Sequence, residues 1–478
     1  MRRSFYCFAT LLVVLANLTV KAQDKATWDL RRCVAYATEN NIQVRQQVIQ
    51  FQLSHLNYIQ SKYSQYPSLN SSINGGWNFG RSVDQVTYSY TNKSFFQTTI
   101  GLNSNVTLFN WFSKKNTTIA DKLTAKADEL QIDKIKNDVA LNVANLYLQV
   151  LFNIQQADIN KTTMEQSRAQ FNNTRKQVDA GLLPELNAVE LEAQLGTDSA
   201  NWIQSKTTIE LSLLQLKSAL NLPADTSITI DTPPVESIPI DNILEVSPGD
   251  VYNMAINALP QFRANDLRVE AAKKRYQSAK GMLYPTISLY GAVNSLLNSQ
   301  ARQGSGNYQD VKYPVGTLGS DTVISVATQR IFDEYKKITP WKQVNNNFNQ
   351  NIGLSINIPI FNGLTARTNV ARQKLNIESQ QLILDQDKLN MKRDIYDAYN
   401  QALGAFEKYN ASRKSVESAQ KAYDFATKRY NIGVLQTIQW LSNQNTLAQA
   451  KTNALIAQYD FVFKMKVLEF YKGQGIKL

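Results

Sequence analysis

The sequence predicts a membrane fold that joins all-α and β-barrel parts: four barrel strands per chain, continued by long α-helices, in two internal repeats. Three observations predict it. The chain matches itself at a fixed offset of 252 residues. Four stretches alternate apolar and polar residues with the period of a strand. Two proline-free stretches, 113–178 and 365–430, carry apolar residues at seven-residue spacing.

The chain opens like an exported protein. Arg2 and Arg3 precede an apolar run from Phe5 to Leu18, and Val20-Lys21-Ala22 ends on a small residue. Residues 1–22 therefore read as a signal peptide cleaved before Gln23. Cys7 falls inside it and leaves Cys33 alone in the mature chain, so no intrachain disulfide is expected. Neither cysteine directly follows the apolar run, so no lipid anchor is expected. Removing the signal leaves 48 Lys and Arg against 39 Asp and Glu, a net charge of +9. These charges are scattered, as in Asp133-Lys134 and Lys392-Arg393-Asp394. No basic patch interleaved with aromatics points to nucleic acid. After residue 22 there is no run of about 18 apolar residues, the length a spanning helix needs. Membrane residence must then come from a closed β-barrel.

The repeat organises everything downstream. Ile100-Gly-Leu-Asn-Ser-Asn-Val-Thr-Leu-Phe-Asn110 falls on Ile352-Gly-Leu-Ser-Ile-Asn-Ile-Pro-Ile-Phe-Asn362, with six of eleven positions identical. The same shift places Tyr147 on Tyr399, Gly181 on Gly433 and Leu195 on Leu447. One offset held without a gap over about 100 residues signals duplication. Upstream the offset is 218, which sets Tyr58, Lys62, Tyr66 and Pro67 on Tyr276, Lys280, Tyr284 and Pro285. The first copy takes 23–222 and the second 250–478. The segment 223–249 holds five prolines and links them as something other than one helix. The change of offset leaves 34 extra residues in the second copy, between Pro285 and Ile352. With Gln300-Ala-Arg-Gln-Gly-Ser-Gly306 and Asn345-Asn-Asn347 inside it, the stretch 295–346 reads largely as loop.

The strands are expected at about 68–80, 95–109, 286–295 and 347–361. In the last, Phe348, Ile352, Leu354, Ile356, Ile358 and Ile360 alternate with Asn349, Asn351, Gly353, Ser355, Asn357 and Pro359. In the second, Phe96, Ile100, Leu102, Val106 and Leu108 alternate with residues that include Asn103 and Asn105. The length suits a tilted membrane strand. The uncharged polar side suits a lumen, which makes Asn103, Asn105, Asn349, Asn351, Ser355 and Asn357 its expected lining. Aromatics gather at the strand ends, as interfacial girdles do. Four strands cannot close a barrel, and an open edge in lipid costs several kcal/mol for each unpaired backbone group. Two chains would give eight strands with a filled interior. Three would give twelve and room for a lumen, so a conduit favours a trimer.

The helical stretches extend about 100 Å at 1.5 Å per residue. Leu375, Leu382, Leu389, Tyr396 and Leu403 form one series. Ile377, Leu384, Met391, Ala398 and Ala405 form another, two residues on and about 200° around the helix. Opposite seams suit a stave with a neighbour on each side. Each helix stops at a glycine turn, Lys176-Gln-Val-Asp-Ala-Gly181-Leu-Leu-Pro and Lys428-Arg-Tyr-Asn-Ile-Gly433-Val-Leu-Gln, from which another helix returns. The hairpin tips are expected at the end remote from the strands.

No catalytic constellation is present. His55 is the one histidine, and no cluster has metal-ligand spacing. No phosphate-binding glycine motif or nucleophile motif occurs, so neither an enzyme nor a cofactor is expected.

These residues resemble the outer membrane efflux proteins, the TolC-like exit ducts of Gram-negative bacteria. The likeness lies in the two repeats, in Tyr66-Pro67 and Tyr284-Pro285 at helix-to-strand turns, in the Ile-Gly-Leu strands ending in Phe-Asn, and in Arg429-Tyr430-Asn-Ile-Gly433. It covers nearly the whole mature chain. The resemblance implies a homotrimer with a 12-stranded barrel in outer-membrane lipid and an α-helical barrel in the periplasm. It also implies a periplasmic adaptor joined to an inner-membrane pump. It places Gly181, Leu182, Gly433 and Val434 at the adaptor-docking tip, and Asp179, Asn187, Arg429, Tyr430 and Gln439 in the gate region. Relatives carry Asp-Val-Leu-like residues after the tip glycine. Here Asn187-Ala188-Val189 and Gln439-Trp440-Leu441 stand there, so an anionic ring at those positions is not carried over. Asp179, Glu185, Glu190 or Glu192 could supply negative charge there instead, the alternative being that they are solvated helix charges. The expected function is passive export through a duct whose tips part when partners bind. The alternative is a coiled-coil envelope protein or adhesin without a pore, which leaves the alternating strands unused.

Overall fold

The computed structural model describes residues 27–83, 90–233, 238, 242–245, 247–318 and 322–473. The signal expected at 1–22 and the centre of the 223–249 linker lie outside them. The first copy opens with α1 (Leu30–Asn40) and α2 (Ile42–Tyr63). Strand β1 (Ser68–Asn78), the short β2 (Arg81–Val83) and β3 (Tyr90–Asn92), and β4 (Phe95–Phe109) follow. Two long helices, α3 (Ser113–Asp179) and α4 (Glu185–Ala219), complete it. The second copy runs α5 (Pro248–Ala258), α6 (Pro260–Gly281), β5 (Thr286–Asn298), β6 (Arg302–Leu318), β7 (Thr322–Lys337) and α7 (Pro340–Asn346). It ends with β8 (Asn349–Asn357), α8 (Thr365–Asn431) and α9 (Thr437–Tyr471).

The duplication is written in the backbone. Helices α3 and α8 are each 67 residues long, and α4 and α9 are each 35. Trp111 and Phe112 enter α3 with φ of 53° and 59°; their counterparts Gly363 and Leu364 enter α8 with 60° and 65°. An L side chain resists that left-handed region, so the shared geometry marks a fixed strand-to-helix turn.

The chain divides into two compact units. One holds residues up to Ser54, Thr124–Val269 and the chain from Ser379 onward. This unit is helical. Its largest core gathers Cys33, Tyr147, Leu151, Leu216 and Leu220, all fully buried. The Tyr147 hydroxyl donates to the Asp231 carbonyl at 2.7 Å, which satisfies the one polar atom an otherwise apolar ring brings inside. Burial pushes the Cys33 thiol up to about 12, and Asp29 adds to the shift. From the linker, Ile230 reaches back to form a single parallel bridge with Trp28.

The second unit holds His55–Leu123 and Glu270–Glu378. Its centre is an antiparallel sheet in the order β1-β4-β5-β8, so β1 and β8 are its edges. Two expectations change here. The stretch 295–346 is mostly structured: β6 and β7 pair as a long ribbon, and α7 follows. Its register shifts beside Gly306 and Pro314 break the alternation that would have marked strands in the sequence. Tyr308 packs on Phe332 at 5.8 Å, and Arg330 lies over Tyr308 while pairing with Asp310 at 3.1 Å. The fourth strand ends at Asn357, short of the expected 361, because Pro359 has no N–H to give a ladder.

Both helical seams exist, and the chain covers them unequally. On α8, Leu384 is 3% exposed, and Met391, Ala398 and Ala405 are also buried. The opposite series stands open over its first part, with Leu375 65% exposed, Leu382 63% and Leu389 65%, whereas Leu403 at its end is half-buried. Helix α2 carries a matching bare stripe, Ile42, Ile49, Leu56 and Tyr63, again every seventh residue. Among the described residues no helix is long and apolar enough to cross a membrane.

Candidate functional site

The strand unit sorts its residues by face. Residues paired across an antiparallel ladder point to the same side. Asn103 pairs with Asn70 and Ala292, and Asn105 with Ser68 and Tyr290. On β8, Asn349 pairs with Asn294, Asn351 with Ala292, Ser355 with Ser288 and Asn357 with Thr286. The six polar residues named from the sequence thus share one face, and no charged residue joins them in its register. Ile73, Ile100, Leu102, Val293, Leu354 and Ile356 occupy the other face. Most of these apolar side chains are exposed in the single chain, an arrangement that water disfavours and lipid rewards.

Aromatic clusters bracket the sheet. At the helix end Phe109, Trp111 and Tyr284 pack in sequence as tilted rings, with centroids 5.3 and 4.7 Å apart. The Trp111 indole N–H donates to the Pro285 carbonyl at 3.0 Å. Pro67 directly precedes β1 and Pro285 directly precedes β5, at the two helix-to-strand links. At the loop end Trp77 meets Phe96 at 5.4 Å and Phe79 at 6.4 Å. His55, on α2, is exposed beside the Tyr58 ring.

In the helical unit the two tips have one geometry. Gly181 and Gly433 take φ of +73° and +75°. Leu182 N–H donates to the Gln177 carbonyl, and Val434 N–H to the Arg429 carbonyl, at 2.8 and 3.0 Å. Gly181 N–H bonds Val178 and Gly433 N–H bonds Tyr430. This double closure needs a left-handed residue, which glycine supplies without strain. Leu182 and Val434 project as exposed apolar side chains beside these turns.

The residues named around the tips separate into two groups. Tyr430 is central: its hydroxyl lies 3.2 Å from Thr174 Oγ1 and 3.4 Å from Thr437 Oγ1, and its ring packs on Trp440 at 5.5 Å. Asp179 is ion-paired: Arg175 bonds it at 3.0 Å and also bonds Glu185 at 2.7 Å. The guanidinium is raised above its ordinary value, first by the hydrogen bond to Glu185. Arg429 and Gln439 are exposed and Asn187 is half-buried; none of the three joins the Tyr430 cluster. Of the remaining carboxylates, Glu190 is half-buried and Glu192 exposed, and neither makes an ion pair with a described residue.

Two features escaped the sequence. Trp440 is fully buried and donates to Thr427 Oγ1 at 3.0 Å, anchoring α9 on α8. Ser167 donates to Asp198 at 2.6 Å and accepts from Gln444 at 2.9 Å, while Gln194 also donates to Asp198. All but Gln194 are buried, so this polar contact ties α3, α4 and α9 inside the bundle. Its members lie 31 and 277 positions apart, a separation that no local pattern reveals.

A duplicated chain with one uncharged polar sheet face, one apolar face and long seamed helices defines a channel-type subunit of the outer membrane. The chain belongs to the outer membrane efflux protein family, whose profile matches residues 34–222 and 251–465. Solved structures agree in fold. CusC superposes with a TM-score of 0.72 at 16% identity, covering 93% of this chain and 92% of its own. The outer membrane protein VceC of Vibrio cholerae gives 0.72 at 14%, covering 94% and 97%. The outer membrane channel CmeC of Campylobacter jejuni gives 0.72 at 17%, covering 94% and 86%. No curated protein shows significant sequence similarity. The protein is therefore an outer-membrane protein of a channel family, not of an enzyme family.

Proposed function

We propose that the protein is the exit duct of a tripartite efflux or type I secretion system. It works as a homotrimer whose twelve strands close a barrel in outer-membrane lipid and whose helices form a tube in the periplasm. The carrying observation is that each flank of the chain ends unsatisfied. Edge strand β8 leads into α8 with its bare Leu375, Leu382 and Leu389, and edge strand β1 follows α2 with its bare Ile42, Ile49, Leu56 and Tyr63. The two flanks differ, so identical chains meet head to tail. Such contacts close into a ring when the rotation allows. Three copies leave a lumen, with Asn103, Asn105, Asn349, Asn351, Ser355 and Asn357 lining it.

Gly181, Leu182, Gly433 and Val434 present two rigid apolar knobs to a periplasmic adaptor, which couples the duct to an inner-membrane pump. Tyr430 and its hydroxyl partners hold neighbouring hairpins together at rest. Asp179, Asn187, Arg429 and Gln439 line the approach to this gate, where Arg175 pairs with Asp179. The chain carries no energy-converting motif, so transport is passive within it. Reconstituted into planar bilayers, the oligomer conducts ions, and Tyr430→Phe raises the open fraction. Silence of wild type and variant alike would contradict this reading.

A further inference from the structure

We infer that the loop end of the duct holds a transit site for oxyanions, so that the exported solutes include carboxylates or phosphates. This deepens the duct reading and rests on it. A cavity of about 760 Å³ opens where β4, β5 and β8 meet α7 and the base of the β6–β7 ribbon. Its cations are Lys93 and Arg302, and no carboxylate lines it among the described residues. The remaining polar lining is mostly amide, including Gln97, Asn294, Asn349 and Asn351. These four make no side-chain hydrogen bond to any described residue, so their N–H groups are available to a solute.

A second observation concerns charge. Arg302 stands directly opposite Lys337 in the β6–β7 ladder. Like charges in that position repel. Neither has an ion-pair partner among the described residues. An anion at the base of the ribbon relieves this repulsion, and a guanidinium can grip a carboxylate or phosphate with two parallel hydrogen bonds. A sphere of the cavity's volume has a radius of about 6 Å, inside the Debye length of about 8 Å at physiological salt. Any ion within it therefore feels both cations. Gln97, Asn294, Asn349 and Asn351 belong to the polar face of the sheet, so the ligand is a solute dissolved in the lumen and not a lipid headgroup.

The test uses the full-length oligomer and citrate as probe. Calorimetry of the detergent-solubilised protein gives saturable citrate binding. The double variant Lys93→Gln/Arg302→Gln weakens it roughly tenfold or more, the scale of losing charge-assisted hydrogen bonds. The exposed control Lys342→Gln does not. In uncharged phosphatidylcholine bilayers under a salt gradient, the wild-type reversal potential lies on the anion side, and the double variant moves it toward zero. Citrate affinity that is absent, or equal in wild type and double variant, overturns the site. Intact citrate binding beside a silent bilayer would remove the duct and leave the site.

Discussion

Gly181 and Gly433 hold the helical tips in a conformation that side chains resist. A methyl group added at either would meet no atom within 4 Å, so the backbone alone sets the cost. That cost is about 1–2 kcal/mol per residue in the left-handed region. Gly181→Ala and Gly433→Ala should therefore loosen each tip locally without unfolding the bundle. Hydrogen exchange at the Leu182 and Val434 amides reads this directly, with protection falling by about tenfold while the Tyr147 core stays unchanged. The glycines were legible because they recur at one offset. Trp440 was not, because its burial depends on Tyr423, Thr427 and Tyr430 from the facing helix.

At the scale of elements, α8 carries one series buried within the chain and one that the proposed ring would cover. Leu384 and Leu382 have the same side chain and lie two residues apart, yet one is 3% exposed and the other 63%. Leu384→Ala should lower the stability of the fold by about 2–5 kcal/mol, as large-to-small changes in cores do. Leu382→Ala should leave the chain folded and shift the oligomer toward free protomers at low concentration. Thermal unfolding followed by helical circular dichroism, beside sedimentation in detergent, distinguishes the two. Seven-residue spacing made both seams readable in advance, but could not say which one the chain covers itself. The β6–β7 ribbon was unreadable for a different reason. Gly306 and the shifts at Ser305/Tyr308 and Pro314/Gly316 reset the alternation, so that no long period-two run survives.

The whole molecule follows from incomplete parts. A sheet with β1 and β8 each unpaired along one edge, a face rich in isoleucine and leucine, and two bare helical stripes leaves each copy with surfaces that the proposed ring and lipid would cover. The duplication explains why the parts match, since offsets of 218 and 252 relate every major helix of one copy to a helix of the other. Fold and membrane location were legible in the sequence because they rest on period, repeat and charge-free strands. The contacts around Tyr430 and the Ser167–Asp198–Gln444 network were not, because they depend on residues brought together from distant segments.

The mass of the detergent-released particle by native mass spectrometry tests the central claim most directly. Ring closure predicts three chains per particle and no stable single chain. A folded monomer that keeps its four strands without a partner would contradict it.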